Sequence, residues 1–337
     1  MTATDRLLWF RRLALAGAVL AAAVVVLGAW VRLTAAGLGC PDWPGCYGHV
    51  YPDAHLGAGS AFAKALHEMI HRYVATTLGL IIVMLLTWSV VNRRDPGQPR
   101  AAPLALFILV CLQGTLGALT VTLLLTPLIV TAHLLGGLST LALLRWLSIE
   151  PARADLTAQQ ARLRGFAVVA AGVLLMQLAL GGWTSTNYAA VACPDFPTCQ
   201  NAWWPDMDYA DGFRPSHGLG IDYEGGILAG PARVAIHFTH RLGAAVTGSV
   251  LLALATLTWR RAQEARLRKV ALGLGGAVCL QIALGIATVA WGVPLPVATL
   301  HNAGAALLVV MMVTLLRALW PATAPAMVTL RDVQPAR

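Results

Sequence analysis

Four histidines stand at matched places in this sequence. His71-Arg72 and His240-Arg241 are each followed, 62 and 61 residues on, by a single histidine, His133 and His301. All four fall within apolar segments, where ionisable side chains are costly and mark function. Two imidazoles facing one another from different helices can ligate one heme iron from both sides. His71 with His133 would form one such site and His240 with His301 the other. A lone buried histidine is ordinarily a hydrogen-bonded core residue, and it is the recurrence at similar depth that favours ligation. The stretch His67-Glu68-Met69-Ile70-His71 also spells the zinc-protease pattern His-Glu-x-x-His, but no third ligand is apparent. Its counterpart, His237-Phe238-Thr239-His240, lacks the glutamate.

That difference is informative. Glu68 lies one helical turn before His71, on the ligand's face. A carboxylate beside one site and not the other suggests that the first half does chemistry, with Glu68 handling a proton or water, while the second stores and passes electrons. The bland alternative is a structural contact at the headgroup level. Arg72 and Arg241 each follow a ligand near the membrane edge, where a guanidinium suits a heme propionate or acts as an interfacial anchor. His49, His55 and His217 have no repeat partner and receive no role.

Four of the six cysteines form two close pairs, Cys40 with Cys46 and Cys193 with Cys199. Each pair can close a small proline-containing disulfide loop in an oxidising compartment. A four-cysteine metal site and a reversible redox pair are the alternatives. Cys111 and Cys279 fall inside apolar segments and read as small packing residues.

Long helices must position these groups. The chain has 337 residues, 58% hydrophobic and 12% charged, against about one quarter charged in soluble domains. Apolar runs near 13–33, 67–91, 102–124, 127–148, 166–186, 231–258, 270–291 and 296–319 are each long enough to cross about 30 Å of hydrocarbon. The expected fold is therefore all-α and integral to the membrane. The net charge of +9 does not indicate nucleic acid, because alternating spans put 18 of the 24 Lys and Arg residues on one side. By the positive-inside rule both termini are cytoplasmic and the cysteine loops extracytoplasmic. The N-terminal arginines and the run ending in Gly37-Leu38-Gly39-Cys40 resemble a signal or lipoprotein segment. The run is long for that, and it recurs in mid-chain.

The recurrence is a repeat. Gly28-Ala29-Trp30 precedes Cys40-Pro41-Asp42-Trp43-Pro44-Gly45-Cys46 as Gly181-Gly182-Trp183 precedes Cys193-Pro194-Asp195-Phe196-Pro197-Thr198-Cys199, at an offset of 153. The offset becomes 169 for His71 against His240. It is 168 for Cys111-Leu112-Gln113 against Cys279-Leu280-Gln281 and for His133 against His301. Four spans per unit make the repeat parallel, about an axis along the membrane normal. The expected organisation is a four-helix half over 1–150, a cytoplasmic linker over 151–164, a second half over 165–321 and a cytoplasmic tail over 322–337. Small residues such as Gly136-Gly137, Gly273, Gly275 and Gly276 suit close helix packing.

With these features the sequence resembles the heme A synthases of aerobic respiratory organisms over nearly its whole length. The matching residues are Gly39-Cys40-Pro41-Asp42-Trp43-Pro44 through Cys46, Glu68-x-x-His71-Arg72, His133, the second Cys-Pro-Asp-x-Pro-x-Cys, His240-Arg241 and His301-Asn302. The resemblance implies a multi-pass protein of the cell membrane that oxidises the C8 methyl of heme O to the formyl of heme A. It implies that His240 and His301 hold a resident heme b in the C-terminal half, that His71 and His133 flank the substrate heme, and that Glu68 is needed for turnover. Not every member has both cysteine pairs, so a catalytic role for Cys40 and Cys46 carries over less directly. The loop from about 187 to 230, with Trp203-Trp204, is longer than the family needs and is expected to lie on the membrane as an aromatic lid. Partners compatible with this reading are lipid, a heme O synthase, an electron donor and a second copy of the chain. A diheme electron carrier needs the same four histidines but not Glu68, and a heme exporter would tolerate Glu68→Gln.

Overall fold

In lipid a backbone satisfies its hydrogen bonds within its own segment, so long apolar runs become helices. The computed structural model of the protein describes residues 2–52, 59–150, 158–218 and 220–320. Among them, eight helices are long and apolar enough to cross a membrane: α1 (Ala3–Leu33), α2 (Ser60–Val91), α3 (Ala101–Thr122), α4 (Pro127–Ser148), α5 (Ala158–Thr186), α7 (Gly230–Arg261), α8 (Ala265–Ala290) and α9 (Leu295–Ala318). A single-turn helix, α6 (Tyr209–Gly212), lies in the loop between α5 and α7. The protein is thus an all-helical multi-pass membrane protein. The linker residues 151–157, the tail 322–337, His55, Arg153, Arg331 and Arg337 lie outside the described residues.

Several helices overrun their apolar windows, because capping rather than hydropathy ends a helix. α1 starts at a capping box in which the Thr2 hydroxyl accepts from Asp5 N (3.2 Å) and the Asp5 carboxylate accepts from Thr2 N (3.0 Å). α4, α7 and α9 open with proline in the first turn, where no backbone donor is lost.

In the first half α1 and α3 each pack against both α2 and α4. In the second, α5 and α8 each pack against both α7 and α9. The halves meet through α4, which packs on α5 and α9, and through α1 against α9. Phe10, Ile82, Leu85, Leu106, Leu141 and Leu144 form the first core, which Ala306 and Val309 of α9 join. Leu174, Leu251, Leu254, Leu274, Met312 and Leu315 belong to the second. One expectation is corrected here. Cys111 and Cys279 are free but exposed on the helix surfaces rather than packed inside, since in lipid an apolar side chain loses nothing by facing outward.

Candidate functional site

Each of the four histidines lies against a glycine of a neighbouring helix. A Cβ added at Gly28 of α1 would stand 3.0 Å from Cε1 of His71, and one at Gly181 of α5 3.2 Å from Cε1 of His240. Gly117 of α3 and Gly285 of α8 stand in the same way to His133 and His301, at 3.4 and 3.1 Å. At Gly28, Gly181 and Gly285 a Cβ would crowd the ring, at Gly117 it would just touch it, and the glycine pairs repeat at the offsets of 153 and 168.

His133 is near enough to His71 to act on it electrostatically, and His301 likewise on His240. Nδ1 of His71, His133 and His301 is buried with no hydrogen-bond partner among the described residues. A buried polar atom left unpaired costs about 1–3 kcal/mol, so such atoms fit a site that a ligand completes. Paired imidazoles seated beside glycine would suit a heme, to whose iron they would supply nitrogen ligands. In the second half, Gln177 Nε2 lies 3.0 Å from His240 Nδ1 and Gln281 Nε2 lies 3.3 Å from His301 Nε2.

Both cysteine pairs are disulfides, Cys40–Cys46 at 2.01 Å and Cys193–Cys199 at 2.02 Å, which removes the four-cysteine metal site. All four sulfurs belong to fully buried residues. Inside each loop one aspartate collects backbone donors: Asp42 accepts from Tyr47 N (2.6 Å) and Gly48 N (2.8 Å). Asp195 accepts from the Thr198 hydroxyl (2.5 Å), Gln200 N (2.6 Å) and Asn201 N (3.0 Å). The Gly48 amide above all holds the Asp42 carboxyl below the usual carboxylate range, and for Asp195 the Thr198 hydroxyl is the largest cause.

The arginines after His71 and His240 clamp these loops. Arg72 Nη1 donates to the carbonyls of Asp42 (3.0 Å), Pro44 (3.2 Å) and Gly45 (2.5 Å), while Nη2 pairs with Glu68 at 2.5 Å. Arg241 donates to the carbonyls of Thr198 (2.8 Å) and Cys193 (2.7 Å). Where the sequence pattern suggests propionates, the guanidiniums engage loop carbonyls. Glu68 is itself part of the clamp: its other oxygen accepts from Cys40 N at 2.8 Å, and its counterpart His237 accepts from Cys193 N at 3.3 Å. The two residues at this repeat position thus cap the same amide with different chemistry. The sequence carried a signal for this, since Asp42 and Asp195, and Glu68 and His237, keep the repeat offsets. Nothing in the sequence marked Gln177, which has Val24 at the corresponding place.

The long loop is tied to both halves. Trp203 and Trp204 are exposed, yet α6 packs against α7, and Tyr223 N donates to Leu124 O of the first half at 3.1 Å. Arg32 of α1 reaches the other way, donating to Ser185 O at 2.9 Å and covering the Tyr188 ring at 3.9 Å.

Eight apolar helices, four glycine-seated histidines and two clamped disulfide loops define a multi-pass membrane protein. A family model described as "Cytochrome oxidase assembly protein" matches residues 11–313. A heme A synthase of Shewanella oneidensis is 42% identical over 331 residues, covering 94% of this chain and 97% of that protein. One of Sphingopyxis alaskensis is 30% identical, covering 87% and 86%, and one of Halalkalibacterium halodurans is 26% identical, covering 82% and 86%. The chain belongs to the heme A synthase family.

Proposed function

We propose that this protein is a heme A synthase that converts heme O to heme A for cytochrome oxidase, an oxidoreductase acting on the C8 methyl group. The observation that carries the reading is the full-length similarity to a heme A synthase, joined to two glycine-seated histidine pairs. His71 and His133 of the N-terminal half flank heme O, and His240 and His301 hold a resident heme b. Two successive hydroxylations of the methyl carbon give a hydrated aldehyde, and loss of water leaves the formyl group. Iron supplies the oxidation; the chain supplies orientation and proton handling.

Glu68 is the proton-handling group. Buried, and fixed at one oxygen by Arg72 and at the other by the Cys40 amide, it is held one turn before His71. Arg72 and Arg241 act on the hemes by fixing the disulfide loops over their edges. The N-terminal half is the catalytic unit and the C-terminal half the electron-storing one. The arginine distribution supports cytoplasmic termini and loops on the extracytoplasmic side of the cell membrane. An electron donor, a heme O synthase and a second copy of the chain are the protein partners this chemistry would use.

The test is extraction and mass identification of hemes from membranes supplied with heme O. Wild type should yield heme A, while Glu68→Gln should stop at heme O or a hydroxylated intermediate. His301→Met should lose the resident heme. Recovery of heme b alone, with Glu68→Gln indistinguishable from wild type, would return the chain to the diheme carrier class.

A further inference from the structure

The two halves differ in what covers the groove between their first two helices. In the second half, Trp183 of α5 and Ile236 of α7 form a cluster with Phe213 and Leu228 of the connecting loop. Trp183 Nε1 donates to Gly212 O at 2.9 Å. Gly212 lies so close that a Cβ there would stand 2.7 Å from Ala232 O. Ile236 is fully buried as a result. The loop that does this is the segment by which the second half exceeds the first, since the repeat offset rises from 153 to 169 across it.

At those offsets Trp183 and Ile236 correspond to Trp30 and His67. Both are half-buried. With Leu27, Val31 and Ile70 they line a cleft of about 140 Å³ between α1 and α2, and the rings of Trp30 and His67 meet edge-to-face at 6.3 Å. A space of about 150 Å³ lined by apolar groups takes up a benzene-sized molecule, so the cleft has room for part of an apolar chain and not for a macrocycle. It adjoins the first-half site directly. Leu27 precedes Gly28, on which the His71 ring rests, and Ile70 precedes His71 itself.

We propose that the α1–α2 cleft receives the isoprenoid tail of heme O at the lipid-facing side of the first-half site, and that the inserted loop is the second half's permanent stopper at the same place. The inference rests on the synthase reading for its ligand. The occupant follows from chemistry: a farnesyl chain is apolar, narrow and attached to the macrocycle's edge, so it must leave the histidine pair through a lipid-side opening. The half with the opening can exchange its heme, and the half with the stopper retains its own.

The test is photolabelling of the full-length protein in lipid nanodiscs with a farnesyl chain bearing a terminal diazirine, the adducts being mapped by mass spectrometry. Adducts should concentrate in residues 27–31 and 67–70. Heme O should displace them, and heme b, which has no tail, should not. Ile70→Trp should lower this labelling about tenfold while the resident-heme spectrum keeps its wild-type form. Leu300→Trp, on an exposed face of α9, should leave labelling unchanged. Should Ile70→Trp not fold, Leu27→Phe on the opposite wall gives the same decision. Labelling spread evenly over exposed helix faces, or unaffected by heme O, overturns the proposal. Labelling needs no turnover, so a chain that labels here without making heme A refutes the synthase reading alone. One that makes heme A but labels elsewhere refutes the cleft alone.

Discussion

Glu68 offers a separation of structure from chemistry, because the repeat supplies its own control. The Glu68 and Arg72 side chains are only 6% and 13% exposed, so solvent screens the pair little. Removing one partner of a buried ion pair costs about 3–5 kcal/mol, and Glu68→Ala should destabilise by that order while releasing the Cys40 amide. Glu68→Gln keeps an acceptor for that amide and loses a charged hydrogen bond, a loss of about 1.5–3 kcal/mol. Glu68→His is the decisive variant. It copies His237, which caps the Cys193 amide in the second half while Arg241 holds its loop with no carboxylate at that position. The histidine variant should therefore keep most of the loop's stability and still lose the carboxylate. A general acid–base group contributes about 10²–10⁴-fold to rate, so turnover of heme O should fall by that factor. Thermal unfolding of the purified protein, beside heme A formation measured by mass, checks both. Wild-type turnover in Glu68→His would make the carboxylate a loop cap and nothing more. Turnover falling in step with melting temperature across all three variants would refute a proton role equally.

The seating glycines should respond half by half. Gly28→Val should displace His71 and lower heme O binding with the resident heme retained, whereas Gly181→Val should displace His240 and lose the resident heme, both read in the heme absorption spectrum. Trp183→Phe removes the hydrogen bond to Gly212 O, worth about 1 kcal/mol, and should speed transfer of resident heme to apomyoglobin. Asp42 and Asp195 titrate below the ordinary carboxylate value. Their contribution to loop stability is therefore present above the unfolded pKa of about 3.9 and is lost as pH falls through the lower folded value. Exchange of the Tyr47, Gly48, Gln200 and Asn201 amides, corrected for intrinsic rate, should lose protection only in that acid range. Arg32→Ala removes two carbonyl contacts across the halves and the cover on Tyr188. It should lower the melting temperature of the full chain without altering the heme spectrum.

The spans were legible, and the candidate ligand pairs could be proposed from the sequence, because both rest on periodic facts. Hydropathy alone marks a segment that must be helical in lipid, and a repeat offset alone tells which histidine answers to which. Helix ends were not legible in the same way: α2 runs from Ser60 although its apolar window opens near 67, since the backbone ladder continues past the hydrocarbon until something interrupts it. The clamp was hidden for a different reason. Arg72 looks outward in a linear reading, and only the return of the chain through Asp42 and Gly45 puts carbonyls within its reach. In the long loop the exposed tryptophans stand out in the sequence, whereas the packing of Phe213 and Leu228 against Trp183 depends on α7 and could not be read there.

A fused repeat can divide labour only where its halves differ, and the differences found here lie toward one end of the helices. The frame, meaning a glycine beside each histidine and one clamped disulfide loop in each half, recurs with the repeat. Position 68 against 237 changes a carboxylate for an imidazole under the same amide. Position 24 against 177 adds an amide side chain to His240 alone. The insert covers one groove and leaves its counterpart as a cleft. On the proposed function, each change works in one direction: toward proton traffic and exchange in the first half, toward a fixed and sealed ligand in the second. Moving only one of them, as Glu68→His does, should leave the other two in force. Such a variant should still take up heme O through the α1–α2 cleft and fail afterwards, at the oxidation.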